Sequence, residues 1–187
     1  MPKRILLAVT GASGQQYALA LARALSLSPD IELHLIVSEA AKKVMALEAG
    51  FGPEELTTLA SATYDEKDIA AGPASGSWRH AGMIVCPCSM ASLAAIANGL
   101  GTNLIHRAAD VTLKEGGRLV LVTRETPLSL IHIKNLLAAK EAGADIVPAS
   151  PGFYHKPRTI DDLVAHLAGR ILDQLGIDNA LFRRWGE

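Results

Sequence analysis

The chain predicts an α/β fold in which a parallel sheet carries helices on both faces, and three observations lead there. Short apolar runs such as Ile5-Leu6-Leu7-Ala8-Val9 are continuous rather than alternating, the pattern of strands buried on both sides. Each run is followed by a stretch in which apolar residues recur at helical spacing, so strand and helix patterns alternate along the whole chain. Of the 187 residues, 49% are hydrophobic and only 4% aromatic, which suits alanine- and leucine-rich helices packed over a sheet in one domain covering 1–187.

The first strand is expected at 4–10 and the first helix at 14–27, with Tyr17, Leu21, Ala24 and Leu25 on one face. The Gly11-Ala12-Ser13-Gly14 turn between them lets the backbone bend sharply and leaves room for a ligand. It also sets the Ser13 hydroxyl beside the free N–H groups and positive end of the helix, an anion-binding geometry. A second strand is expected at 31–37, and Ser38 reads as the N-cap of a helix reaching about Glu48. Residues 51–77 are less regular, with a short helix near 53–60 and a turn-rich Pro-Ala-Ser-Gly-Ser. The pattern then predicts a strand at 83–86, a helix at 89–97, a loop at 98–105, a helix at 106–115 and a strand at 119–123. A helix at 129–142, a strand at 145–147 and a proline–glycine loop at 148–158 follow. The last helix is the clearest: Ile160, Leu163, Val164, Leu167, Ala168, Ile171, Leu172 and Leu175 form one stripe, with Thr159 before it and Gly176 after it.

Composition excludes several function classes. A net charge of −1 offers no basic field for nucleic acid or an anionic membrane. No stretch approaches the roughly 20 apolar residues of a membrane span, and a cytoplasmic protein is expected. Cys86 and Cys88 lack a second ligand pair and read as small buried residues. The six histidines do not fall at metal-ligand spacing, so no metal is expected. The first turn is neither a dinucleotide fingerprint nor a P-loop, and no nucleophile elbow is present; a mononucleotide such as FMN fits better.

Ligands of an open parallel sheet bind at the carboxyl ends of the strands. Those ends carry Gly11 to Ser13, Ser38, Pro87 to Ser89, Arg124-Glu125-Thr126-Pro127 and the loop from Pro148 to Tyr154. Arg107 and Lys114 lie seven apart on one predicted helix and share a face, with Asp110 placed to neutralise part of it. Arg170 lies at the border of the last helix's apolar stripe, where a partly covered guanidinium is expected. Arginine's planar fork suits bidentate phosphate contact.

These residues resemble the flavin prenyltransferases of the UbiX family. The resemblance rests on TGASG-x-x-Y (10–17), SEAAKKVMALE (38–48), ASGS (74–77), PCSM-x-SLAAIA (87–97), RAADVTLKE (107–115), RETP (124–127), PGFYHKP (151–157) and Arg184-Trp185. It implies a three-layer Rossmann- or flavodoxin-like sandwich that assembles as a homododecamer with sites at subunit interfaces. It also implies a dimethylallyl group passed from dimethylallyl phosphate to reduced FMN. The prenylated FMN would supply a UbiD-type decarboxylase in ubiquinone biosynthesis or aromatic-acid breakdown. On this basis Gly11, Ala12, Ser13, Ser38, Ser89, Met90, Ala91, Ser92 and Arg124 would hold FMN. Tyr154 and Arg170 would bind the prenyl phosphate, with Arg107 and Lys114 reaching it from a neighbouring subunit and Trp185 as a mobile aromatic. Ser13, Glu48 and Glu125 would serve phosphate release and proton handling.

One departure is visible: Ala91-Ser92 stands where Lys-Thr is common in the family. The serine keeps the hydroxyl and the lysine contribution is lost. Two alternatives stay open, a flavin-dependent cysteinyl decarboxylase and a non-catalytic FMN carrier. The first carries a PASAN-type segment where this chain has PCSM, and the second has no need of Arg107, Lys114, Tyr154 and Arg170 together.

Overall fold

Six strands form one all-parallel sheet in the order β3-β2-β1-β4-β5-β6, described here from a computed structural model that covers residues 2–186. The strands are β1 (Lys3–Val9), β2 (Ile31–Val37), β3 (Ala62–Tyr64), β4 (Gly82–Cys88), β5 (Leu119–Thr123) and β6 (Asp145–Ile146). The helices are α1 (Gln15–Ser26), α2 (Glu39–Val44), α3 (Glu54–Thr57), α4 (Met90–Ala97), α5 (Leu104–Lys114), α6 (Leu130–Glu141) and α7 (Ile160–Gln174). α2 runs directly into a π-helical turn, Met45–Ala49.

Alternate residues of each strand face opposite layers. Ile5, Leu7, Val9, Leu33, Leu35 and Ile84 pack under α1 and α7, while Leu6, Ala8, Ile36, Met83 and Val85 pack under α4 and α5. The three-layer sandwich follows, because each continuous apolar strand needs a helix on either side. Strand order reverses between β1 and β4, the switch point where the loops on the two halves part and leave a crevice.

Several elements differ from the sequence reading. β4 does not stop at Cys86; it continues through Pro87 to Cys88, which pairs with Thr123 across a register shift. Pro87 is tolerated because a bulge needs no ladder donor there. The bulge also inverts the alternation, so Cys86 faces the α1/α7 layer and Cys88 the α4/α5 layer. α5 starts at Leu104 rather than 106, since the Asn103 side chain accepts from the His106 N–H and caps it there. β3 is a short edge strand inside the stretch read as irregular. Ile160, counted in the buried stripe of α7, is 75% exposed. At the other end of that helix, Gly176 takes φ +67° just past the last turn. The Thr159 cap also holds, with its hydroxyl accepting from the Asp162 N–H and the Asp162 carboxylate accepting from the Thr159 N–H.

Candidate active site

The switch point is stitched by a residue that sequence reasoning passed over. Thr10, just beyond β1, donates its hydroxyl to the Pro87 carbonyl at 2.7 Å, and the same oxygen accepts the Ser89 N–H at 2.8 Å. The buried Gln15 amide donates to the Thr10 and Ala12 carbonyls at 3.0 and 2.7 Å, fixing the loop from inside. Gly11 meets the start of α2 so closely that a Cβ would lie 2.6 Å from the Ala40 Cβ. Gly14 takes φ +98° at the N-cap of α1, a conformation that favours glycine, and no side chain caps the helix. The first turn is therefore shaped by packing and backbone conformation, and the N-cap residue itself occupies none of the helix donors with a side chain.

One donor of that helix end is taken by a carboxylate. Glu48, carried on the π-helical turn, accepts the Gly14 N–H at 2.9 Å, an interaction that the positive helix end favours. The π turn presents Glu48 toward α1. Ser13, Gly14, Gln16, Tyr17, Glu48, Arg124, Ala149, Ile160 and Val164 line one cavity of about 320 Å³. Exposed Ile160 is therefore part of the cavity wall. Burial, and secondarily Cys86, holds the Tyr17 hydroxyl above its ordinary pKa of 10.0, so it stays a proton donor. Arg124, at the end of β5, has its Nε buried without a hydrogen-bond partner. A buried guanidinium N–H left unpaired costs about 1–3 kcal/mol or more, and an anionic or carbonyl acceptor in the cavity removes that cost. The residues present thus fit an anionic, ring-bearing ligand such as FMN.

The remaining expected flavin contacts sit on the same rim. Ser38 caps α2, accepting the Ala41 N–H at 3.0 Å. Ser89 caps α4 through the Ser92 N–H at 3.2 Å and donates its own hydroxyl to Ser92 Oγ. Ser92 is buried and lies 3.4 Å from His106 Nε2, and that inward bonding was missed from sequence. Met90 is half-buried and Ala91 exposed. Glu125 is exposed and outside the cavity lining, and its carboxylate accepts the Thr126 N–H at 3.0 Å.

The expected donor-binding residues fall into two groups. Arg107 and Lys114 lie on α5. Arg107 pairs with Asp110 at 2.6 Å, as the spacing foretold, and donates from Nε to the Ala74 carbonyl. Lys114 pairs with Glu115 beside Gly76, so both cations face the ASGS segment. Tyr154, Arg170 and Trp185 lie with the α1/α7 layer across the sheet. Tyr154 and Trp185 meet edge-to-face at 5.2 Å and line a second cavity of about 530 Å³ with His155, Lys156, Arg183, Arg184 and Gly186. Arg170 is partly covered, its side chain 47% exposed, and it donates to the more sheltered Asp173 at 2.8 Å. A single chain therefore does not gather all four donor-binding residues.

Two further residues escaped sequence reading. His166 sits beneath Tyr154, and Asp173 binds Arg170 and Arg184 together. A polar residue interrupting the stripe of α7 was the available signal for His166, and the three-residue step from Arg170 the one for Asp173. Both cysteines are buried and free. Burial raises both thiols, Cys88 to about 12, so neither supplies a thiolate. No helix among the described residues is long and apolar enough to cross a membrane.

Comparison with known proteins bears on this geometry. The Flavoprotein family model matches residues 1–172. The flavin prenyltransferase UbiX of Deinococcus radiodurans is 49% identical over 186 residues, covering 100% of this chain and 95% of the relative. The crystal structure of AnUbiX in complex with FMN and dimethylallyl pyrophosphate superposes with a TM-score of 0.97 at 44% identity, covering 100% of this chain and 99% of that one. A dodecameric FMN-dependent UbiX-like decarboxylase from Escherichia coli gives a TM-score of 0.96 at 44% identity, over 98% and 100% of the two chains. Similarity of this extent over the full length makes the chain a member of the UbiX-type flavin prenyltransferases within the Flavoprotein family.

Proposed function

We propose that this chain, as a single flavoprotein domain, joins the dimethylallyl group of dimethylallyl phosphate to reduced FMN. The observation that carries the reading is the rim cavity: Ser13, Glu48 and Arg124 come from three separate elements to one space, and Arg124 brings an unpaired buried N–H to it. The full-length relative named a flavin prenyltransferase, and a structural neighbour holding FMN and a dimethylallyl donor, favour this over a cysteinyl decarboxylase or a carrier.

Reduced flavin supplies the electron-rich centre that accepts the allylic carbon. The chain's own residues do the rest. Gly11, Ala12, Ser13, Ser38, Arg124 and the Ser89 to Ser92 turn seat the flavin at the sheet rim. Breaking the allylic C–O bond sends an electron pair to the phosphate, so donors must meet negative charge as it grows. Tyr154 and Arg170 of one protomer, with Arg107 and Lys114 of another, supply those donors without a divalent cation. Glu48, which holds the Gly14 N–H and lines the cavity with Ser13, takes the proton; Glu125, outside that lining, assists by turning from the Thr126 N–H. Holding two reactants in line and excluding water supplies the remaining rate.

The split of the four donor-binding residues, three cations and the Tyr154 phenol, across the sheet supports a homo-oligomer, which we read as a dodecamer. The outer face of α6 supports it too: Leu130, Ile131, Ile133 and Leu137 are all at least half exposed, and only Ala139 of that helix is buried. Prenylated FMN would then pass to a UbiD-type decarboxylase, in ubiquinone biosynthesis or aromatic-acid breakdown. Two free, buried thiols agree with a reducing cytoplasm.

Anaerobic incubation of the protein with FMN, a reductant and dimethylallyl phosphate, followed by mass spectrometry of the released flavin, tests this. A flavin heavier by one prenyl unit is expected, and unmodified flavin refutes it. The pyrophosphate run alongside identifies the donor.

A further inference from the structure

We infer that His166 is a positioning residue that forces the Tyr154 hydroxyl to act as a hydrogen-bond donor toward an anion in the adjoining cavity. The inference rests on the donor-site reading above and adds a residue to it. His166 is 95% buried on α7. Its Nδ1 accepts the Gly152 N–H at 3.2 Å, a group that can only donate. Nδ1 therefore carries a lone pair, and the single proton of the neutral ring sits on Nε2. Nε2 lies 3.1 Å from the Tyr154 oxygen, so the imidazole donates and the phenol accepts.

The consequence is directional. With one lone pair occupied by His166, the Tyr154 O–H must point to a third group. The open side of Tyr154 is the cavity that Lys156, Arg183 and Arg184 also line. The opposite tautomer would spend the phenol's proton on the imidazole and turn an oxygen lone pair toward that cavity, which repels a phosphate. Burial lowers the pKa of His166, and the nearby His155 and Arg170 charges lower it further, so the neutral ring is favoured. His155 stacks on it at 4.6 Å and Phe182 meets its edge at 4.9 Å, holding the ring plane.

The test measures the affinity of FMN-loaded protein for dimethylallyl phosphate and for inorganic phosphate by calorimetry. Tyr154→Phe removes the donor, and an affinity loss of roughly three- to tenfold is expected for one hydrogen bond. His166→Asn keeps an acceptor for Gly152 but withdraws the donor from Tyr154; it should lose the same factor, with nothing added in the double variant. His166→Gln reaches the Tyr154 oxygen with an amide N–H and should restore most of the affinity. If His166→Asn does not fold, His166→Phe fills the ring's space without a donor and replaces it. Wild-type affinity in the asparagine variant, independent multiplying losses in the double variant, or no loss in Tyr154→Phe overturns the inference. If the wild-type protein makes no prenylated flavin, the donor-site reading has failed, and the inorganic phosphate titration alone decides the His166–Tyr154 pair.

Discussion

Replacing Asp173 with alanine should release the C-terminal tail while leaving the sheet intact. The Asp173 carboxylate takes two hydrogen bonds from Arg184, at 2.9 and 3.1 Å, one from Asn179 at 3.1 Å and one from Arg170 at 2.8 Å. The carboxylate is 16% exposed, whereas the two guanidinium side chains are 47% (Arg170) and 41% (Arg184) exposed. Sheltered charge-assisted bonds contribute roughly 1.5–3 kcal/mol each, and exposed pairs nearly nothing. Counting the Arg184 fork as one such bond at the low end, because its guanidinium is 41% exposed, adding about 0.5 kcal/mol for Asn179 and nothing for Arg170, gives about 2 kcal/mol, a factor of about 30 in docking. Phe182 still packs on His166 and Gly169, so the tail frays from its end rather than detaching completely. In a Trp78→Phe background, Trp185 fluorescence should shift to longer wavelength, and trypsin should cut faster at Arg183 and Arg184. Unchanged emission and cleavage would refute the reasoning. The pH dependence has a definite sign. Burial alone would raise the Asp173 pKa, but Arg184, Asn179 and Arg170 together hold it below the ordinary 3.8. The contribution is therefore fully present above about pH 4 and is lost as pH falls below that value through the folded pKa.

Arg124→Ala should weaken FMN binding roughly 10- to 100-fold, as loss of a buried charge-assisted contact does, read by flavin fluorescence titration. Glu48→Gln keeps an acceptor for the Gly14 N–H but not the proton-accepting carboxylate; turnover should fall roughly 100-fold with FMN affinity unchanged. A parallel loss of affinity would assign Glu48 to flavin seating instead. Gly11→Ala drives a methyl into Ala40 and must shift the first turn; lowered FMN affinity with a folded circular dichroism spectrum is expected.

The order of elements was legible because burial on both faces writes itself as continuous apolar runs, and helical caps such as Ser38, Ser89 and Thr159 have few alternatives. What escaped depends on backbone events with no periodic signature. The β4 bulge carries the strand through Pro87 and turns Cys86 and Cys88 to opposite layers, where alternation predicts one. β3 spans only three residues at a sheet edge, too short to show a period. At the site, Ser13 and Arg124 could be listed from strand ends, whereas Glu48 came only from the family resemblance, and the π-helical turn that aims it had no signal in the sequence. The partial cover of Arg170 was legible from its place at the border of the stripe, and its partner Asp173 was not. The sequence also places Arg107 and Lys114 on one face without saying which layer that face belongs to; the fold sets them across the sheet from Tyr154. His166 was hidden because a buried histidine in an apolar stripe reads as core until its two ring nitrogens are seen to have different partners.

The central claim, that a departing phosphate is met by side chains in place of a metal while the allylic group goes to flavin, has a direct measurement. Inorganic phosphate and prenylated flavin are quantified in the same anaerobic reaction with excess chelator. One phosphate released for each flavin prenylated is the predicted result. Phosphate appearing with free prenyl alcohol and unchanged flavin, or no phosphate until a divalent cation is restored, would contradict the account.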